Sequence, residues 1–266
     1  MFGEMIIKKN PSTIVADVRL IVRLAFRDLK IQYAQSVIGI SWALIQPLTG
    51  LVIYTFLFDK VLNVSGTSTV PYPVFVFTGI MNWMLFSSIV GRAGTVLSSN
   101  TNLIKNWSFP RLVLPLSKTI VSLIEFGLSL PILIGLLWYY GIELRWQVLL
   151  GPLFILANIL CALSIALWLS ALTVRYRDFH HIIPYLVGFG VFVTPVFFSS
   201  TLIPKEYSFL MYFNPMSFVI EGFRWCLHDG QFVFINYIPS ILITTISFIS
   251  ALFFFKKQEG SMVDFL

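Results

Sequence analysis

The residues best suited to chemistry stand close together, between positions 175 and 181. This stretch contains two cations, a carboxylate and two imidazoles, supplied by Arg175, Arg177, Asp178, His180 and His181. Adjacent histidines cannot both face one metal ion on a regular helix, and no further histidine or carboxylate stands at ligand spacing. We therefore interpret these residues as a charge cluster at the end of a helix, and the sequence predicts no metal site.

Sequence patterns for nucleotide binding and for acid–base catalysis are missing. There is no G-x-x-x-x-G-K-[ST] run, so ATP hydrolysis would need another chain. A membrane-embedded transferase acting on a polyprenyl-linked sugar would need paired carboxylates or a histidine base, and the twelve acidic residues offer no such pair. An ion-coupled transporter would need charged groups at the membrane midplane in inverted repeats, a condition that only Glu125 approaches.

Glu125 interrupts the long apolar stretch 119–140. An ionisable group inside such a stretch is rare and usually faces a partner or a wet cavity. The alternative is a neutral, hydrogen-bonded carboxyl group near the cytoplasmic edge of a membrane. The sequence leaves both interpretations open.

The elements that carry these residues are strongly apolar. Apolar residues make up 57% of the chain and charged residues only 11%, with a mean hydropathy of +0.85. Soluble domains have about a quarter charged residues, and a helix needs about 20 apolar residues to cross a membrane. Six stretches are that long, so we predict an all-α integral membrane protein, a single domain over 1–266, with spans at 38–58, 72–91, 119–140, 148–172, 181–199 and 235–255.

The distribution of Lys and Arg predicts the orientation of these spans. With a cytoplasmic N-terminus, fourteen of the eighteen Lys and Arg residues fall on the cytoplasmic side, where short loops retain them. We therefore expect a multi-pass protein of the cytoplasmic membrane with both termini in the cytoplasm. This asymmetry also accounts for the net charge of +6 without a nucleic-acid partner.

A helix that lies in the membrane interface is predicted at 18–30. Its basic residues follow one another at helical spacing, opposite an apolar face with Ala25 and Leu29. One interpretation is an anchor on anionic lipid, and the other is that the basic face also touches a cytoplasmic partner. The basic residues are Arg19, Arg23, Arg27 and Lys30.

The stretch 32–47, QYAQSVIGISWALIQP, resembles the entry to the first span in ABC transporter permeases of the polysaccharide and polyol-phosphate export family. These permeases carry the pattern RY-x-x-S-x-L-G-x-x-W-x-x-x-x-P, and this chain departs from it at Gln32, where the family has Arg. The resemblance extends over nearly the whole chain, through Asn102–Arg111, through Arg175–Asp178 (similar to the family's F-R-D) and through Asn214–Met216.

Two residues inside this stretch have a physical interpretation of their own. Pro47 lacks a backbone donor and should bend the first span near residue 43. Gly39 should let a neighbouring helix approach closely.

The resemblance implies a homodimer of this chain with two ATPase subunits, which moves a lipid-linked polysaccharide across the bacterial inner membrane. The favoured cargo is lipopolysaccharide O-antigen, and capsule or teichoic acid is the alternative within the same family. ATP and Mg²⁺ would bind the partner subunit, so no cofactor is expected in this chain.

The loop after the second span, SSNTNLIKNWSFPRL, is expected to form a cytoplasmic coupling helix. Asn100 or Thr101 can cap a short helix and Pro110 ends it, which leaves aromatic residues on a loop where nothing apolar obviously covers them. The resemblance implies that this helix docks on the ATPase, and the alternative is an interfacial tryptophan anchor. The residues assigned to coupling are Asn102, Lys105, Trp107, Phe109 and Arg111.

The region 200–230, before the last span, is broken by Pro204, Asn214 and Pro215 into apolar pieces too short to cross a membrane. Such pieces can enter the membrane and return only where protein or a cavity shields their backbone. The resemblance implies re-entrant gate helices at the outer mouth, and the alternative is an amphipathic surface loop.

Aromatic residues on the first, second and fifth spans are candidates for a sugar-polymer path. Aromatic rings stack on the C–H faces of sugars. Aromatic contacts are individually modest, at about 0.5–1.5 kcal/mol beyond burial, so many weak ones would allow a polymer to slide. The alternative is that half or more of them face lipid. The candidates are Tyr33, Trp42, Tyr54, Phe58, Trp83, Phe86, Phe197 and Phe198.

Overall fold

A computed structural model of the chain describes residues 11–34, 36–61, 70–107, 109–227 and 232–260. Within these ranges the regular structure is helical, as predicted. The helices are α1 Pro11–Ala34, α2 Trp42–Thr55, α3 Tyr72–Gly94, α4 Val96–Ser99, α5 Thr101–Asn106, α6 Val113–Tyr139, α7 Gly151–Arg175, α8 Phe179–Val193, α9 Ser208–Phe213, α10 Pro215–Leu227 and α11 Ile238–Glu259. Shorter 3₁₀ turns lie at Gly39–Ser41, Trp146–Leu150, Ser200–Leu202, Lys205–Tyr207 and Phe234–Tyr237, and a π-helical turn at Phe56–Val61.

Among the described residues, five helical segments are long and apolar enough to cross a membrane. They coincide with five of the six predicted spans, although the third begins earlier than expected and so includes Lys118 as well as Glu125. The segments are Gly39–Phe58, Tyr72–Gly94, Val113–Tyr139, Trp146–Arg175 and Phe234–Glu259.

The predicted span 181–199 is shorter as a helix than the sequence indicated. Helix α8 has 15 residues, and the chain leaves helical geometry at Thr194, where φ is −107° and ψ is 144°. Pro195 follows, and a residue before proline is pushed out of the helical region. Because 15 residues of helix measure only about 22 Å, six membrane crossings stay a prediction.

The start of the first span shows that the packing interpretation of Gly39 was wrong. Gly39 has a φ of +59°, and a Cβ placed on it would meet nothing within 4 Å. Its N–H donates to the Ser36 hydroxyl at 3.1 Å in the turn that leads from α1 into α2. Glycine is needed here because this left-handed backbone conformation is strained for other residues.

Helix α3 is the centre of the bundle. In its most apolar stretch 78% of the residues are buried inside the protein, against 11% in the first span and 17% in the last. Hydrogen bonds join α3 to α7. Asn158 of α7 donates to the Asn82 carbonyl at 2.9 Å, and Thr173 of α7 donates to the Gly94 carbonyl at 3.1 Å. Such hydrogen bonds and close contacts, rather than a hydrophobic driving force, hold helices together in lipid.

Helix α1 packs along α6 and has three faces instead of the two that were predicted. Ala25 and Leu29 are buried in a cluster with Val121 of α6. Val18, however, is 52% exposed, so part of the predicted apolar face is free to meet lipid. The four basic residues are exposed on the third face, and their position at a membrane interface stays a prediction.

The bundle therefore has two distinct ends. The α1 end carries α1, α4, α5 and the C-termini of α3, α7 and α11. The α10 end carries α9, α10 and the N-termini of the same three helices.

Candidate functional site

A groove runs between α2, α3 and α8 and is bordered by α6 near the α1 end. It consists of two adjoining cavities of about 330 Å³ and 600 Å³, which share Gln46, Met84 and Val187 in their walls. The smaller cavity lies towards the α1 end and the larger one towards the α10 end. Together they form a candidate site between the apolar helices, and we call them the groove.

Near the α1 end the groove is polar. Its wall contains Pro47 and Ala43 of the first span, so the proline that was expected to bend this helix faces the cavity region. The polar residues around it come from α2, α3 and α6, and they are Gln46, Ser87, Ser88, Arg92, Ser122, Glu125 and Ser129.

Glu125 is held by residues from two other helices. Its Oε1 accepts hydrogen bonds from Arg92 Nη2 at 2.7 Å, from the Tyr33 hydroxyl at 2.7 Å and from Gln32 Nε2 at 3.0 Å. The Arg92–Glu125 contact is an ion pair, and both side chains are partly buried. Of the two interpretations left open by the sequence, the structure therefore supports a carboxylate that has a charged partner and lines a cavity.

These contacts also explain the position at which the chain departs from the family pattern. Gln32 reaches Glu125 as a neutral donor, so an Arg at this position would have the same carboxylate within reach. Burial, and then the hydrogen bond to Glu125, raise the pKa of the Tyr33 hydroxyl. Tyr33 keeps its proton, donates it in the hydrogen bond to Glu125 and so links α1 to the groove.

Towards the α10 end the groove is aromatic and aliphatic. The Tyr54 and Phe197 rings are stacked with centroids 4.1 Å apart, and the Phe58 centroid lies 5.2 Å from Phe197 and 6.5 Å from Tyr54. Trp42 and Trp83 line the same cavity. Residues from α2, α3 and the segment after α8 are thus brought together as rings around one space.

The predicted path residues divide into four groups. Four line the groove, and Phe58 and Tyr33 contact its lining residues. Phe86 is 7% exposed and packs on Trp83 with centroids 5.0 Å apart, behind the wall. Phe198 is partly buried and belongs to neither cavity wall. The four that line the groove are Trp42, Tyr54, Trp83 and Phe197.

The predicted coupling segment forms the short helix α5. Asn102 and Lys105 are exposed, and Trp107 is 69% exposed. Asn100 stands before the helix but donates its side-chain N–H to the Val96 carbonyl at 2.8 Å, so it does not act as the predicted cap.

Phe109 differs from Trp107 because the protein covers part of its ring. It packs against an apolar cluster that includes Leu24 of α1 and Phe255 of α11. The Arg111 guanidinium lies 5.5 Å from its ring centroid, and the Arg111 N–H donates to Glu259 at 2.8 Å. The expectation that nothing covers Phe109 was therefore wrong, and this residue joins the loop to α1 and α11.

The predicted gate region contains two short helices, α9 and α10, separated by Asn214. The Asn214 Oδ1 accepts from the Met216 N–H at 3.0 Å, and Pro215 occupies the start of α10, where a missing N–H costs nothing. The amide of Asn214 donates to Thr194 at 3.1 Å and so reaches the end of α8. Pro204 is exposed, ahead of a 3₁₀ turn.

Arg224 is a buried residue that the sequence did not reveal, because it was one of the four Lys and Arg residues assigned to the outer side of the membrane. It is 1% exposed, and its guanidinium donates to the carbonyls of Pro195 at 2.7 Å, Val196 at 2.7 Å and Phe75 at 3.0 Å. The Phe75 ring centroid lies 3.5 Å from its Cζ. The available signal was a single Arg inside an otherwise apolar helical run, three residues after Glu221.

The cluster at 175–181 lies at the junction of α7 and α8. Arg177, His180 and His181 line a cavity of about 450 Å³, and His180 Nε2 is 3.0 Å from the Ser98 hydroxyl. No group of three potential metal ligands occurs among the residues that the structure describes.

The fold and the groove define a helical, multi-pass membrane protein with a path-like site between its spans. Residues 19–228 match the ABC-2 type transporter family. The chain belongs to this family, which confirms the prediction of an ABC transporter permease.

Two kinds of relative are similar over most of the chain. The O-antigen export system permease protein RfbA of Klebsiella pneumoniae is 28% identical over 85% of this chain and 88% of its own. RfbA of Myxococcus xanthus is 31% identical, covering 80% and 81%. The polysialic acid transport protein KpsM of Escherichia coli is 21% identical, covering 91% and 94%.

Proposed function

We propose that the chain is the membrane subunit of an ATP-driven exporter that moves a lipid-linked polysaccharide across the bacterial inner membrane. The observation that carries the proposal is the groove, because it joins a polar end to an aromatic end between helices that are otherwise apolar. A sugar polymer needs hydrogen-bonding partners and flat apolar surfaces, and the groove offers both.

The proposed topology has six crossings with both termini in the cytoplasm, so that the α1 end faces the cytoplasm and the α10 end faces outward. In this arrangement α8 and the irregular residues after it complete the fifth crossing. Single cysteines replacing Glu143 and Glu206 should then react only from outside, and one replacing Asp178 only from the cytoplasm. Labelling of positions 178 and 206 from the same side would rule out a crossing by α8.

The proposed assembly is a homodimer with two ATPase subunits, which bind ATP and Mg²⁺. Trp107, which directly follows α5 and is exposed, is a suitable docking residue, whereas the sequence of this chain contains no nucleotide-binding loop. Copurification of a tagged chain with an ATPase subunit tests this assembly, and recovery of the tagged chain without one would contradict it.

The favoured cargo is O-antigen, because the relatives at 28–31% identity are named as O-antigen export permeases. A capsule polymer is the second candidate, supported by the 21% identity to KpsM. Deleting the chain should leave undecorated lipopolysaccharide at the cell surface in the first case and remove capsule in the second. Unchanged surface polymer of both kinds would contradict the proposed function.

The aromatic part of the groove gives a residue-level test of the same function. Tyr54→Leu removes the ring that stacks on Phe197, and we expect less polymer at the cell surface with normal membrane insertion. Phe86→Leu is a matched control, because Phe86 lies behind the groove wall. Equal export by the wild type and Tyr54→Leu would exclude an aromatic path at this position.

A further inference from the structure

We propose that the polar cavity of the groove binds one neutral sugar unit between Arg92 and Glu125. This inference rests on the proposed export of a polysaccharide, and it assigns a recognition site to the α1 end of the path.

Arg92 and Glu125 each keep one polar atom that the ion pair does not use. All three hydrogen bonds to Glu125 end on Oε1, so Oε2 has no donor within the described part of the chain. Arg92 Nη1 is buried and has no hydrogen-bond partner among the described residues. An unsatisfied buried donor is costly. Both residues line one cavity, so a ligand there could donate to Oε2 and also bind the Arg92 guanidinium. Nη1 is closed to the cavity in this conformation and would have to turn towards such a ligand.

A sugar fits this requirement because each of its hydroxyl groups can both donate and accept. The serines around the pair add acceptors, since Ser87 and Ser129 donate to their own helix carbonyls and leave oxygen lone pairs free. The cavity measures about 330 Å³, which is at the lower end of the range for small-molecule sites. That space suits a sugar unit with its hydroxyls extended towards the walls.

The charge balance favours a neutral ligand over a phosphate. The Arg92–Glu125 pair has no net charge. Outside the cavity wall, Asp28 is shared by Lys118 at 2.7 Å and by the more exposed Arg27 at 2.9 Å, so the one excess positive charge lies away from the cavity. A phosphate bound to Arg92 would lie against the Glu125 carboxylate, and like charges at such distances repel each other. A neutral hydroxyl group can bind while the ion pair stays intact.

Binding can be measured on the chain purified with its ATPase in lipid nanodiscs. The probe is the cell's own polysaccharide, released from its lipid carrier by mild acid and shortened, and saturation-transfer NMR detects its contact with the protein. We expect Glu125→Gln and Arg92→Gln each to weaken binding about tenfold or more, because each variant loses a charge-assisted hydrogen bond to the probe. Inorganic pyrophosphate, as the anionic probe, should bind no better to the wild type than to either variant.

Two further variants separate sugar binding from a merely structural ion pair. The exchange Arg92→Glu with Glu125→Arg restores a salt bridge with reversed donor and acceptor, although it loses the hydrogen bonds from Tyr33 and Gln32. We therefore expect a thermal stability above that of either single exchange, with weak probe binding. As a control, Asp28→Asn removes the ion pair between Asp28 of α1 and Lys118 of α6. This pair lies outside the cavity wall, so the variant should bind the probe like the wild type.

Three results would overturn the inference. They are full probe binding by the exchanged pair, wild-type binding by Glu125→Gln and Arg92→Gln, and saturable pyrophosphate binding without oligosaccharide binding. The proposed function is tested separately by deletion of the chain. If deletion abolishes surface polymer while these variants bind and export normally, the sugar site is wrong and the export function stands.

Discussion

Arg92 and Arg224 lie at opposite ends of the bundle and are held in different ways. Arg224 is fully buried, and its donors reach backbone carbonyls of α3 and of the irregular segment after α8. Arg92 has 29% of its side chain exposed, and its protein partner is the side chain of Glu125, beside a cavity. The Arg224 guanidinium donates to backbone carbonyls, whereas Nη1 of Arg92 has no hydrogen-bond acceptor among the described residues.

The difference shows what each end of the groove needs. Pro195 and Val196 lie outside helices, so their carbonyls lack the intrahelical donors that an apolar membrane environment requires. Arg224 supplies those donors and so stabilises the irregular segment between α8 and α9 in apolar surroundings. Arg92 lies in the last turn of α3, where the hydroxyls of Thr95 and Thr173 bind the Gly91 and Gly94 carbonyls. Its guanidinium is therefore not needed by the backbone and stays available to side chains and to a ligand. We therefore expect substitutions of Arg224 and its contacts to reduce stability, and substitutions of Arg92 to change binding.

The largest effect should come from Arg224→Met. It removes three hydrogen bonds to buried carbonyls, and the loss should be at least about 3 kcal/mol of unfolding free energy. Thermal unfolding in detergent and the yield of monodisperse protein measure it. Arg92→Met is the matched control and should cost about 1 kcal/mol or less, because its ion pair is partly exposed. Equal losses in the two variants would remove the distinction between the arginines.

Gly79→Ala tests the same contact between Arg224 and the Val196 carbonyl, from the side of α3. A Cβ at this position would lie 2.5 Å from the Val196 oxygen and 2.8 Å from Arg224 Nη2. Overpacking of this kind costs about 2 to 3 kcal/mol. Gly91→Ala, in the same helix, meets nothing within 4 Å and should be neutral or slightly stabilising. A stable Gly79→Ala protein would show that the segment at 194–197 can move away from α3 at little cost.

Much of the fold follows from the length of apolar stretches, since five of the predicted spans are helices of membrane-crossing length. The end of α8 could not be predicted in the same way. Its geometry depends on Arg224, which is distant in the sequence and was not recognised as a partner for backbone carbonyls. Gly39 was misinterpreted because a left-handed turn and a close helix contact both select glycine.

The sequence could not show which face of each helix is turned towards the groove, and this limited the prediction of the site. The sequence placed Trp83 and Phe86 on one helix as equal candidates, but only Trp83 reaches the groove. It also treated Phe109 as exposed, because the residues that cover it come from α1 and α11. Glu125 could be recognised from the sequence because it is an ionisable residue in an apolar stretch. Its three hydrogen-bond donors could not, because they are brought to it only when α1 and α3 pack on α6.

At the α1 end, Trp107→Ala should act on association and not on stability. Trp107 is largely exposed, so its removal leaves no cavity, but loss of an aromatic anchor from an interface costs about 2 kcal/mol of binding. A pull-down with the ATPase subunit measures the change. Phe109→Ala should instead lower the unfolding temperature, because part of its ring is covered. If Trp107→Ala binds the ATPase like the wild type, α5 serves only as an interfacial anchor.

The smallest effect is expected from Gln32→Arg, which adds a cation next to Glu125. The present Nε2–Oε1 distance is 3.0 Å, so an Arg side chain can reach the carboxylate without moving α1. A partly exposed ion pair of this kind should raise the unfolding free energy by about 0.5 kcal/mol, and screening should remove most of the gain in about 1 M NaCl. Gln32→Met, which has neither donor nor charge, is the control and should be slightly less stable than the wild type. A gain that persists at high salt would mean that the Arg acts through packing, and a loss of stability would mean that Glu125 has no room for a second cation beside Arg92.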